Sequence, residues 1–172
     1  IGTGNFFIWV ANGSSTVSAM NDVGNFFSPS TGFSGGGLNQ PTAIAVDPSD
    51  NAWITNLNGS ITIMAPGGYV KSPSSGYGGG GLDKPRGIAV DSQSDGWIAN
   101  SGNNSVTEMT FYGNMISPAT GFSAAGLNYP DAVALDGSGN IWIANYNGNS
   151  VTEIIGAAAP IFPPLNGPPF AP

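Results

Sequence analysis

The apolar positions along this chain alternate. Between Thr42 and Val46, Ile44 and Val46 fall on one side of an extended strand and Ala43 and Ala45 on the other, because successive strand side chains point to opposite faces. The turn Asp47-Pro48-Ser49-Asp50 follows, then an extended run from Ala52 to Asn56, a turn at Asn58-Gly59 and a third run from Ser60 to Met64. Pro66-Gly67-Gly68 breaks the chain before a last short run from Tyr69 to Ser72. Runs this short, with turn signals about every ten residues and no helical period, predict antiparallel hairpins joined in a meander.

The pattern recurs. LNQPTAIAVD from Leu38, LDKPRGIAVD from Leu82 and LNYPDAVALD from Leu127 open successive units 44 and 45 residues apart. Trp9, Trp53, Trp97 and Trp142 keep this spacing, as do Asn12, Asn56, Asn100 and Asn145. Later in the unit come Ser28-Pro29, Ser72-Pro73 and Ser117-Pro118, then Gly32-Phe33, Gly76-Tyr77 and Gly121-Phe122. A fixed period of this length marks a repeat architecture, and four strands per unit make one blade of a β-propeller.

The first strand fits that reading. One face carries Ile44 and Val46, Ile88 and Val90, Val133 and Leu135; the other carries only Ala43 and Ala45, Gly87 and Ala89, Ala132 and Ala134. A strand crowded beside a central axis needs one small face, and the Trp of the second strand offers a bulky body to a neighbouring blade. The signature LNxPxxIAVDxxxNxWIANxxNNSVTE resembles that of NHL-repeat β-propellers, particularly the Asn-rich bacterial kind, over nearly the whole chain. The resemblance implies an all-β propeller of NHL-type blades, each a four-stranded antiparallel meander, six being usual in the family; the units in this sequence make about four, with the first and last blades incomplete.

The expected units are blade 1 over residues 1–37, lacking its innermost strand, blade 2 over 38–81 and blade 3 over 82–126. Blade 4 covers 127–156 without its outer strand, and 157–172 is a Pro-rich tail that cannot donate to a ladder at its prolines. Blades that do not close leave bare edges and an apolar face. Three explanations stay open: the C-terminal part of a larger propeller, completion by association through strand addition, or a small self-contained ring. Association would draw on the apolar residues at the two ends, Phe6 and Phe7, Ile161, Phe162, Leu165 and Phe170.

Composition narrows the function. Ten acidic and three basic side chains give a net charge of −7, opposite to the clustered basic patch that nucleic acid requires. Charged residues make up 8% of the chain against roughly 25% in an ordinary soluble domain, so like-charge repulsion between copies is weak. Without Cys or His there is no disulfide, no Ser-His-Asp or Cys-His nucleophile and no His-containing zinc site. The chain starts at Ile1, which fits either a removed leader or a piece of something longer. The lack of Cys with Asn-rich hairpins points to an exported, extracellular bacterial protein. No membrane span and no cofactor are expected.

Loops entering the first strand and joining the second to the third share one propeller face, the default ligand face. It would present Thr42 with Asn39 and Gln40, Asp83, Lys84 and Arg86, and Asn128, Tyr129 and Asp131. Asn58, Asn103, Asn104, Tyr146, Asn147 and Asn149 join them from the hairpin turns. Thr42, Arg86 and Asp131 are equivalent positions of different charge, either a binding set or a solvated, loosely paired one. The Asn-rich turns with Tyr129 or Tyr146 suit carbohydrate, although tight hairpins by themselves call for Asn and Gly.

Asp47, Asp50, Asp91, Asp95 and Asp136 are calcium candidates, since oxygen ligands at alternate positions followed by Gly resemble the start of a calcium loop. No distal Glu follows, and an Asx-turn accounts for the Asp equally. Glu108 and Glu153, one blade apart, read as solvent-facing. The expectation is a non-enzymatic secreted scaffold whose blades contact protein or polysaccharide, including self-assembly with another copy. The alternative is a fragment of a larger propeller enzyme or sensor domain whose functional residues lie in other blades.

Overall fold

The computed structural model describes residues 8–160 of the 172-residue chain. β1 (Ile8–Asn12) and β2 (Thr16–Met20) form a two-stranded sheet. β3 (Pro41–Val46), β4 (Ala52–Asn56), β5 (Ser60–Ala65) and β6 (Tyr69–Val70) form a four-stranded one. β7 (Pro85–Val90), β8 (Gly96–Asn100) and β9 (Ser105–Met109) make the third sheet, and β10 (Pro130–Leu135), β11 (Ile141–Asn145) and β12 (Ser150–Ile154) the fourth. Each is an antiparallel meander in which sequence neighbours are sheet neighbours, so the four sheets are propeller blades. Among the described residues no helix is long and apolar enough to cross a membrane.

The outer strand is shorter than the alternation predicts. Instead of running from Tyr69 to Ser72 it stops at Val70, and in the first and third units it shrinks to single bridges, Met20 to Phe26 and Met109 to Met115. The cause is a shared acceptor before the Ser-Pro step. The Ile63 carbonyl takes the amides of both Lys71 and Ser72, at 2.8 and 3.3 Å, and the Ala19 and Glu108 carbonyls do the same for Phe27 with Ser28 and Ile116 with Ser117. Such sharing bends the chain off the ladder, and the proline that follows has no N–H to rejoin it.

The apolar core lies between blades. Trp53, Ile61 and Ile63 of the second blade pack against Ile88, Ile98 and Met109 of the third. Trp97 and Val106 of the third meet Ile141 and Ile143 of the fourth, and Val17 with Trp9 of the first meets Ala52, Ile54 and Met64 of the second. Each of the first three blades therefore has a Trp face that covers the Ile face of the next.

The first strands β3, β7 and β10 lie side by side, as their small faces predict. A β-carbon on Gly87 would stand 2.7 Å from the Ala132 Cα, too close for any side chain without backbone movement. The blades are also pinned at the outside: the Gly36 carbonyl accepts Thr62 Oγ1 at 2.7 Å and Ser72 Oγ at 3.0 Å, and the Gly80 carbonyl accepts Thr107 Oγ1 at 2.6 Å and Ser117 Oγ at 3.0 Å.

Candidate functional site

Two regions stand out from the repeating frame: a cluster at the mouth of the axis, and the bare faces at the two ends of the array. The mouth is built by the residues flanking the proline that begins each first strand. Gln40, Lys84 and Tyr129 precede those prolines with positive φ of 51°, 47° and 53°, which turns the entering loop sharply onto the sheet. The residue after the proline, at the bulge opposite the second strand, points along the mouth.

There Thr42, Arg86 and Asp131 diverge. Thr42 Oγ1 donates to the Pro85 carbonyl at 2.7 Å and lies 2.8 Å from Thr55 Oγ1, so it closes the gap to the next blade. Arg86 Nη1 donates to Asp131 Oδ1 at 3.2 Å, with both side chains about two-fifths exposed. Its guanidinium also lies over the Tyr129 ring, 5.3 Å from the centroid, and Tyr129 in turn lies 5.8 Å from Tyr146. Arg86 Nε is buried without an acceptor among the described residues. The expected ligand face thus gathers Arg86, Asp131, Tyr129 and Tyr146 into one contiguous group, beside an open depression of about 480 Å³ lined by Asp131, Asn145, Tyr146, Asn149 and Val151.

The other residues of that face serve the turns. The amides of Asn39, Asp83 and Asn128 donate to the side-chain carbonyls of Asn56, Asn100 and Asn145 at 3.0, 3.3 and 3.1 Å, fixing each entering loop to the second strand. Asn58 and Asn103 accept Ser60 Oγ and Ser105 Oγ inside their hairpins. Asn104 accepts the Tyr129 amide at 2.7 Å, and the Lys84 carbonyl accepts Ser101 Oγ. Asn147 is exposed at the β11–β12 turn.

On the opposite side, the carboxylates considered for calcium are surrounded by N–H donors. Asp47 Oδ1 accepts the amides of Ser49 and Asn51, and Oδ2 accepts Asn51 Nδ2 and Trp53 Nε1. Asp91 and Asp136 repeat the arrangement with Trp97 and Trp142. The Trp142 indole N–H, followed by the Asn140 amide, holds the Asp136 carboxyl down at about 2. Asp50 and Asp95 sit in the same turns, where burial and then the Asp91 charge raise Asp95. Among the described residues no group of three or more acidic side chains is arranged to hold a metal ion.

The carboxylates of the third strands do not match. Glu153 is exposed, as expected, but Glu108 is half-buried. Burial, then the charges of Asp95 and Asp91, push its carboxyl up to about 7. Its strand position explains this: Glu108 pairs with Trp97 and so lies on the face that the fourth blade covers.

The bare faces are the feature that alternation on its own underplays. Trp53 and Trp97 are 0% and 3% exposed, whereas Trp142 is 40% exposed. Around Trp142 the side chains of Ala132, Ala134, Ala144 and Val151 line an almost wholly apolar hollow of about 240 Å³. At the other end Ile8 and Val10, which occupy the Ile face of the first blade, are 46% and 39% exposed. The signal was present in the repeat: Trp142 stands at the position of Trp53 and Trp97, on the face that a following blade covers in those units. The apolar end residues considered for association, Phe6, Phe7, Ile161, Phe162, Leu165 and Phe170, lie outside the described residues.

With this geometry in view, solved structures supply the context. A streptogramin B lyase superposes with a TM-score of 0.66 at 20% identity, covering 89% of this chain and 49% of the lyase. The virginiamycin B lyase from Staphylococcus aureus gives 0.59 at 17%, covering 87% and 52%. The computationally designed Ika4 protein gives 0.62 at 9%, covering 90% and 87%. No family model and no curated protein matches the chain, so the NHL resemblance stands on its repeat signature. The chain spans about half the length of the two lyases, and at these identities the likeness shows a shared fold, the β-propeller.

Proposed function

We propose that this chain is a non-enzymatic interaction scaffold whose end blades mate with one another, the Trp142 face of one copy covering the Ile8 and Val10 face of the next. The observation that carries this reading is the exposure of Trp142 on a face whose counterparts, around Trp53 and Trp97, are sealed by a following blade. Each end offers the half of the junction that the other lacks. The two halves differ, so the contact is head-to-tail, giving a ring where the rotation closes and a filament where it does not. With 8% charged residues the surface offers little repulsion to such contact. In this reading the Arg86, Tyr129 and Tyr146 mouth is left for protein or polysaccharide outside the cell.

Sedimentation of the full chain tests the association. The wild type is expected to form dimers or larger species at micromolar concentration, and Trp142→Glu to weaken the association by about a hundredfold or more. A wild type that stays monomeric at about 100 μM, some 5 kcal/mol of association at most, would overturn it.

A second reading has its own observation: the chain covers only about half of each lyase. Here the same faces are covered by further blades of a longer enzyme or sensor protein, which carry the functional residues. A longer reading frame with additional units on either side favours this reading.

A further inference from the structure

The first blade carries two polar groups that its own sheet does not satisfy. In the other three blades the Trp indole N–H donates to the Asp of the preceding turn: Trp53 to Asp47 at 3.2 Å, Trp97 to Asp91 at 3.4 Å and Trp142 to Asp136 at 3.1 Å. Trp9 Nε1 is buried and has no acceptor among the described residues. An unmet buried donor is costly, and native proteins rarely keep one.

Asn12 shows the matching deficit. Asn56, Asn100 and Asn145 each accept a backbone amide of the loop that enters the first strand. Asn12 donates to Thr16 and Ser18 like its counterparts, yet among the described residues its carbonyl receives no such amide. Between these two groups runs β1, which pairs with β2 along one edge only among the described residues. The donor, the acceptor and the open edge lie where the first strand stands in the other three blades, and those blades show its chemistry.

We infer that the open, axis-side edge of β1 is an acceptor site for an extended peptide of the form (Asn/Asp)-x-Pro-x-(Ala/Gly)-(Ile/Val)-Ala-(Val/Leu)-Asp. The register follows from the second blade, where Pro41 faces Asn56, Ile44 faces Ile54, Ala45 faces Trp53 and Val46 faces Ala52. Transferred to β1, the peptide's Pro stands opposite Asn12, its Ile or Val opposite Val10, its second Ala opposite Trp9 and its last apolar residue opposite Ile8. The first residue gives its amide to Asn12, and the final Asp takes the Trp9 indole N–H. The Ala and Gly positions must be small because that face meets β3 of the next blade, as Gly87 meets Ala132. Backbone pairing supplies affinity and these side chains supply selectivity.

This inference does not depend on end-to-end association, and Trp142→Glu, which should disperse assemblies, is expected to leave it intact. The probe is the nonapeptide Asn-Gln-Pro-Thr-Ala-Ile-Ala-Val-Asp, the sequence of residues 39–47, acetylated and amidated, titrated calorimetrically into the full chain. Saturable binding is expected, about tenfold or more weaker when the final Asp is replaced by Asn. Against Trp9→Phe, which keeps the ring packing, the two peptides should bind alike. In a nitrogen–proton spectrum the indole signal missing from Trp9→Phe should be the one that moves on peptide addition. No binding at millimolar peptide, equal binding of a scrambled peptide, or indifference to the final carboxylate with wild-type protein would each overturn the inference.

Discussion

β4 and β11 carry nearly the same five residues, Ala-Trp-Ile-Thr-Asn and Ile-Trp-Ile-Ala-Asn, yet every residue of β4 is buried while β11 alternates buried and exposed. Their polar contacts are alike. Both Trp indoles reach the Asp six residues earlier, and both Asn side chains hold the entering loop. What differs is the next blade, present beyond β4 and absent beyond β11 among the described residues. These two polar contacts therefore belong to a single blade, whereas the apolar core belongs to a pair. Burial in this chain is a property of junctions.

The largest expected effect tests this directly. Trp53→Ala should cost about 3–5 kcal/mol, as buried aromatic truncations do, while Trp142→Ala should cost under about 1 kcal/mol in dilute solution, where its face is uncovered. Urea denaturation of the two variants measures the contrast, and equal losses would break the comparison. A medium effect is expected at the axis. Gly87→Val forces a side chain against the Ala132 backbone and should cost about 1–3 kcal/mol. Ala132→Val, on the exposed side of the last blade, should stay within about 0.5 kcal/mol.

The smallest effect concerns Glu108. Its carboxyl is raised from 4.5 to about 7 in the fold, so the protonated form is favoured there. The stability this confers is full below about pH 4.5 and is lost as pH rises through about 7. Melting temperature followed across that range should fall for the wild type and fall less for Glu108→Gln. The same substitution at the exposed Glu153 serves as the control, and identical profiles for the wild type and Glu108→Gln would remove the junction as the cause.

Much of this was legible in the residues. The period of two gave each strand its faces, the Trp spacing marked the junctions, and the small first-strand face foretold the crowding at Gly87. The outer strand was not legible beyond its start, because one carbonyl accepting two amides leaves no mark in an apolar pattern. Arg86 and Asp131 were visible as unlike occupants of one repeat position. Their ion pair depends on β7 and β10 lying side by side, 45 residues apart in the chain. Glu108 was misjudged for a reason the alternation contained: it shares the face of Trp97, and a face that buries a tryptophan also buries the carboxylate beside it.

The carbonyls of Gly36 and Gly80 bear on how such a chain can change in length. Each segment leading out of one blade docks on the sheet that follows, and the apolar junction beside it is built from the same 44- or 45-residue unit repeated. Inserting one more unit between the second and third blades would add a Trp face, an Ile face and the strap that joins them. Among the described residues the number of uncovered faces would remain two. Duplication or loss of a whole unit therefore leaves the remaining junctions of the same kind.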